Sequence, residues 1–299
     1  LATTQEQGTA PIRVDVNLVL VEATVKDKAG RAMKDLKKED FVLDEDGAPQ
    51  QIAHFSRDQL PLAVALVVDL SNSIEPFIRP LRYATLTALK SLKPDDQVAL
   101  FTFGSNVQRR VPLTRDKLEV SDQIEFFHTG GGTNINGALY EAARYLRNEA
   151  PAARRVIVLV SDNVPTVNEG ISPKQVVEAV LEADAAVYGL KVPGYNPLPA
   201  RMAAKSVGGL VNVGKVTAET GGEIFDIEKE GSLYLAFQAL IERLKTRYTL
   251  GFYPTHKTED GGFRRLNLRL QPSFGSKGRE YMVLSKSGYY ATRQRAASR

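Results

Sequence analysis

The 299 residues contain no cysteine, so disulfides and thiolate metal sites are excluded and the redox compartment stays open. No apolar run approaches the roughly 18 residues that a membrane helix needs, and no signal-peptide pattern is present. The polar opening LATTQEQGTAP reads as the start of a trimmed or processed secreted protein. An excess of one charge is missing too. Lys+Arg number 39 against 35 for Asp+Glu, interspersed and without a basic stripe, so nucleic acid is not an expected partner. The final TRQRAASR carries Arg293, Arg295 and Arg299 and reads as a solvated tail. Histidine is scarce as well: His54 and His256 fall in strand-like segments and read as structural, which leaves His128.

What is present is a change of character along the chain. From Arg13, RVDVNLVLVEATVKD alternates and is rich in Val, which reads as a strand. FVLDEDGAPQQIAHF reads as a hairpin turning at Asp46-Gly47. From Pro61, strands and helices alternate. PLAVALVVDLSNS is a buried strand, and Ile78, Leu81, Ala84, Thr85, Ala88, Leu89 and Leu92 then follow helical spacing up to Pro94. DQVALFTF, RRVIVLVSDN and AAVYGLKV are further strands, and VQRRVPL is an edge strand that tolerates Pro112. Helices are expected over Asp116 to Phe127, Asn136 to Asn148, Ser172 to Asp184, and from Ser232 on. Pro193 to Gly214 gives no clear signal, and AETGGEIFDI gives a short strand. After Arg247 the pattern returns to strands.

The layout is β, then α/β, then β. The expected fold class is a doubly wound, mostly parallel α/β sheet, with the two flanks combining into a small β-sandwich. The expected divisions are 1–11 as a linker, 12–60 and 247–291 as paired β segments, 61–246 as the α/β domain, and 292–299 as the tail. Strands of such a sheet run one way and helices the other, so both flanks emerge at the pole opposite Asp69.

Three loops at strand carboxyl ends, where open α/β sheets collect ligands, carry oxygen donors. Asp69, Ser71 and Ser73 lie on the first, Thr133 on the second and Asp162 on the third. Such hard donors suit Mg²⁺ or Ca²⁺. DLSNS, then GGTNINGAL, then VLVSDN resembles the von Willebrand factor A domain with an intact metal-ion-dependent adhesion site, in order across Leu62 to Leu244. SNSI is similar to integrin inserted domains, and the GGT element is nearer to bacterial members. The flanks, with VKDKAGRAMKDLKKEDFVLDEDGAPQQIAHFS, YTLGFYP and SGYYA, resemble those of a bacterial von Willebrand-A-related family abundant in acidobacteria. Asn72 stands where many members have Gly, and Asn163 replaces the common Gly after the third-loop Asp. Both are non-ligand positions and bear on loop shape.

The resemblance implies direct ligation of Mg²⁺, with Ca²⁺ and Mn²⁺ as alternatives, by Ser71, Ser73 and sometimes Thr133, with Asp69 and Asp162 often acting through water. Neutral hydroxyls leave the cation's charge poorly compensated, so an anionic sixth ligand is favoured: the Asp or Glu of a partner protein. Asn72, Glu75, His128, Asn134 and Asn163 are the candidate rim. Glu75 better suits the first turn of a helix, where the dipole favours an acid, and Ser73 could serve as a helix cap. The resemblance also implies a secreted, periplasmic or envelope location. The function expected is therefore metal-dependent protein binding, with a structural or assembly component of the envelope as the alternative. A metal-dependent hydrolase is less favoured, because Ser71, His128 and Asp162 form a triad only on paper and no GxSxG elbow is present. No enzyme activity is expected.

Overall fold

A computed structural model describes residues 18–57, 60–194, 209–229, 232–255, 260–272 and 281–291. The expectations for 1–11, 292–299 and His256 lie outside them.

The central sheet is built from six strands. These are β5 (Leu62–Asp69), β6 (Gln97–Phe103), β7 (Val107–Thr114), β8 (Arg154–Ser161), β9 (Ala185–Lys191) and β10 (Ile224–Asp226). Their order is β10-β9-β8-β5-β6-β7, parallel throughout except for β7, which pairs antiparallel with β6 at the edge. The unbroken apolar run of β5 follows from its central place. Leu62, Val64, Leu66 and Val68 face one hydrophobic core, and Ala63, Ala65 and Val67 face the other.

Among the described residues six helices cover the two faces: α1 (Ile78–Leu89), α2 (Lys117–Ile124), α3 (Ile135–Glu149), α4 (Pro173–Glu182), α5 (Val213–Glu219) and α6 (Ser232–Lys245). Leu81 and Ala84 of α1, Ile124 of α2 and Phe237 of α6 fill the first core. Leu139 of α3, Val176 of α4 and Val216 of α5 fill the second. Helix α4 starts where its sequence signals it. Ser172 Oγ accepts from the Gln175 N–H, the Gln175 side chain accepts from the Ser172 N–H, and Pro173 opens the first turn. Helix α5 was not expected: it begins at the end of the stretch without a clear signal and takes in Ala218 and Glu219 of AETGGEIFDI, whose strand is confined to Ile224–Asp226. Asn212 caps it by accepting from the Lys215 N–H.

The flanks form two four-stranded sheets. One is ordered β13-β1-β11-β4, from Met282–Ser285, Val19–Lys26, Tyr248–Phe252 and Ile52–Arg57. The other is ordered β14-β12-β2-β3, from Gly288–Tyr290, Phe263–Leu270, Phe41–Glu45 and Ala48–Gln50. Between them lies a third core, with Val21, Ala23, Tyr248 and Leu250 from the first sheet and Phe41, Leu43, Leu266 and Leu268 from the second. This is the fold class expected from the sequence: an α/β sheet plus a small sandwich of both flanks. The β2–β3 hairpin turns at Asp46-Gly47, but β4 leaves it after Gln51 to join the other sheet.

Ion pairs join the sandwich to the strand-start pole of the central sheet. Glu22 of β1 pairs with Arg154, which opens β8, at 2.6 Å, and with Arg247 at 3.3 Å. Glu223, just before β10, pairs with Lys26 and Arg243. Ser161 closes β8 seven residues beyond Arg154, about 23 Å away at strand rise.

Two glycines allow the turn before β10 to fit there. Gly221 adopts φ +75, and a Cβ on it would sit 2.6 Å from the Ser285 carbonyl carbon. A Cβ on Gly222 would lie 1.7 Å from the Val187 carbonyl oxygen. Gly222→Ala is therefore expected to cost about 3 kcal/mol or more in urea unfolding, because only backbone displacement relieves the clash.

Candidate metal centre

Strand β5 delivers Asp69 to its carboxyl end, fully buried. Asp69 Oδ1 accepts from the Ser71 N–H at 2.7 Å, and Oδ2 accepts from the Ser161 hydroxyl at 2.7 Å. A 3-10 turn, Asn72–Phe77, follows and leads into α1. Ser71 stands at its N-cap without a side-chain capping bond; instead the Ser71 and Ser73 hydroxyls lie 2.9 Å apart. Neither hydroxyl is taken up by capping, so both stay available as donors to a ligand.

The second loop precedes α3. Thr133 is buried; its N–H donates to Thr166 Oγ1, and its carbonyl accepts from the N–H groups of Thr166 and Val167. None of these bonds uses the Thr133 hydroxyl. In the third loop Asp162 Oδ1 accepts from the Val164 N–H. Asn163 holds φ +60, the left-handed region where Asn is among the better-tolerated residues, so the usual Gly can be replaced without losing the turn.

Hydrogen bonds tie the three loops into a closed triangle. Ser161 to Asp69 joins the third to the first, Gly130 N–H to the Leu70 carbonyl at 2.7 Å joins the second to the first, and Thr166 N–H to the Thr133 carbonyl at 3.0 Å joins the third to the second. The five predicted ligand residues are thereby carried on one stitched set of loops.

The electrostatics of this set are unbalanced. Burial pushes the Asp69 carboxyl up to about 6, against the hydrogen bonds from Ser161 and Ser71, and the neighbouring Asp162 charge pushes the same way. Among the described residues no Lys or Arg forms an ion pair with Asp69 or Asp162. No three His, Asp or Glu side chains gather into a metal cluster among those residues either. The donor set is two carboxylates and three hydroxyls, hard oxygens of the kind Mg²⁺ takes, and a cation held there would compensate the buried acid.

The predicted rim separates. Asn72, Glu75 and His128 are exposed, and Asn163 is half-buried. Asn134 is a correction: it is buried and caps α3, its Oδ1 accepting from the Gly137 N–H while Nδ2 donates to the Ser105 carbonyl. Its burial, at 1% exposure, takes it away from a partner's reach. His128 Nδ1 contacts the Phe126 carbonyl at 3.0 Å, and no hydrogen bond joins it to Ser71 or Asp162 among the described residues. Three supporting residues were not anticipated. Ser161 holds Asp69, Thr166 holds Thr133, and Gly194 leaves room for Asp162, since a Cβ there would lie 2.5 Å from Oδ2. Only Ser161 had a signal, as the residue before the strand-ending Asp.

A mostly parallel sheet with helices on both faces defines an open α/β fold, and the oxygen donors lie on three loops at the carboxyl end, where such folds collect ligands. Residues 64–164, which include every proposed ligand, match the family model for the von Willebrand factor type A domain. Inter-alpha-trypsin inhibitor heavy chain H2 from Sus scrofa is 35% identical over 127 residues, 38% of this chain and 14% of that protein. Inter-alpha-trypsin inhibitor heavy chain 4 from Mus musculus is 30% identical over 160 residues, 48% of this chain and 17% of that protein. The chain thus matches only a small part of these relatives' length. Among solved structures, a von Willebrand factor type A protein from Catenulispora acidiphila is similar at a TM-score of 0.49 and 10% identity, covering 93% of this chain and 74% of that one. The vWF domain of the type V pili tip protein Mfa5 from Porphyromonas gingivalis gives 0.46 and 11%, covering 62% and 96%. No helix among the described residues is long and apolar enough to cross a membrane.

Proposed function

We propose that this chain holds a divalent cation, Mg²⁺ in the first instance, at Asp69, Ser71, Ser73, Thr133 and Asp162, and uses it to bind an Asp or Glu of a partner protein. The observation that carries this reading is the closed triangle of hydrogen bonds, which brings hydroxyl donors from two loops beside buried carboxylates that have no cationic partner among the described residues. A cation supplies the missing charge, and with hydroxyls among its ligands it keeps affinity for an external anion. The envelope location implied by the flanks belongs to this reading.

The test is capture of partners from an envelope fraction by the immobilised chain. Capture is expected with Mg²⁺ or Mn²⁺, and to fall to background in EDTA or with Asp162→Ala at unchanged circular dichroism. Capture that survives both would sink the proposal. A melting temperature lowered by EDTA, with no captured protein, would favour the structural alternative.

A further inference from the structure

The turn between α2 and the Thr133 loop carries an exposed aromatic ring on a pinned backbone. After Ile124 the chain turns tightly, the N–H groups of Glu125, Phe126 and Phe127 donating to the carbonyls of Asp122, Gln123 and Ile124. Arg82 of α1 grips the same turn, 3.2 Å from Asp122 and 3.1 Å from Glu125. His128 Nδ1 lies 3.0 Å from the Phe126 carbonyl on the other side. Phe127 enters the core beside Ile124 and Val120, whereas Phe126 is 65% exposed. The ring is thus turned outward by a backbone fixed on both sides.

Its position relates it to the metal centre. Four residues on, the Gly130 N–H bonds to the carbonyl of Leu70, between Asp69 and Ser71. Four residues of chain reach at most about 14 Å, so the Phe126 backbone lies within that distance of Gly130, which bonds to the first loop. On the other side, the turn and helix start after Ser71 expose Asn72, Glu75 and Arg79. Both flanks carry exposed charges, Asp122 and Glu125 paired with Arg82 on this one, and Phe126 adds an exposed ring to it.

An exposed aromatic ring contributes little to the fold, yet buried aromatic anchors dominate the energy of interfaces. A ring on an already fixed turn loses little freedom when a partner covers it. Resting on the metal-dependent reading above, we infer that the partner presents its carboxylate next to a bulky apolar side chain, which packs on Phe126 while the carboxylate meets the cation.

Short Gly–Ser peptides with a central Glu and one neighbour varied among Leu, Phe, Ser and Lys, immobilised and offered to the full chain with Mg²⁺ or EDTA, test this. Leu and Phe neighbours should improve capture by about tenfold over Ser, an anchor-sized effect. The preference should vanish in Phe126→Ala and largely persist in Phe126→Leu, both of which keep EDTA-sensitive capture. A wild type without the preference, or an unchanged preference in Phe126→Ala, overturns the inference and leaves the metal-dependent reading standing. Capture indifferent to EDTA, or no capture of any peptide, counts against that reading and the inference with it.

Discussion

Asp69→Asn is expected to make the metal-free protein more stable at pH 7 and to erase any stabilisation by Mg²⁺. Burial holds the Asp69 carboxyl at about 6 in the folded protein, against 3.8 for the ordinary group. The folded chain therefore binds a proton through an interval in which the unfolded chain has released it. With respect to this group the metal-free protein is most stable below about 3.8 and loses that stability as the pH rises through about 6. The whole interval corresponds to about 3 kcal/mol. Asparagine keeps an oxygen for the Ser71 N–H and removes the buried charge, so at pH 7 it recovers part of that amount. A divalent cation acts in the opposite sense, favouring the ionised acid, so its stabilising effect on the wild type should grow from pH 5 to pH 7. Thermal melts of both proteins in EDTA and in Mg²⁺ at the two pH values check this. A variant that is less stable than wild type in EDTA at pH 7, yet still stabilised by Mg²⁺, would contradict it.

Glu22→Gln is expected to cost about 3 kcal/mol in urea unfolding, the low end of what stripping one partner from a buried ion pair does. Glu22 meets two guanidinium groups, Arg154 and Arg247, both almost wholly buried. Arg247 Nη1 also donates to the Tyr188 hydroxyl at 3.1 Å, and Arg154 Nη2 to the Leu244 carbonyl at 3.1 Å. Those bonds satisfy donors but supply no negative charge. Removing the Glu22 charge takes an anionic partner from both guanidinium groups and leaves Arg247 the Asp184 charge, which should weaken the junction of sandwich and central sheet. Partial exposure of Glu22 sets the low end of the range. A loss below about 1 kcal/mol would mean that water already screens the junction as it does surface pairs.

The sequence showed most plainly those features whose cause is local or periodic. The apolar run of β5 needs burial on both faces, which a central parallel strand provides. Ser172-Pro173 and Asp46-Gly47 encode their cap and turn chemically, and both form there. Helix α5 was hidden because it spans only Val213–Glu219, with Gly214 and β-branched residues, and depends on packing against β9 and the sandwich side. The move of β4 into the other sheet after Gln51 was hidden because strand alternation continues across it. At the site, DLSNS, GGTN and SDN were legible as oxygen donors. The Ser161 hydroxyl to Asp69 and the Gly194 space beside Asp162 were not, since they arise only when distant strands align. Asn134 was misread for a related reason: among glycines it looked like an open loop, whereas its side chain closes the first turn of α3.

The central claim is that these loops hold a divalent cation. Titrating EDTA-stripped chain with Mn²⁺, followed by electron paramagnetic resonance, tests it most directly. The account predicts uptake of a single ion that Mg²⁺ displaces, abolished in Asp162→Ala and in the double variant Ser71→Ala with Ser73→Ala, while circular dichroism stays unchanged. No uptake at millimolar Mn²⁺, or uptake unaltered in both variants, would contradict it.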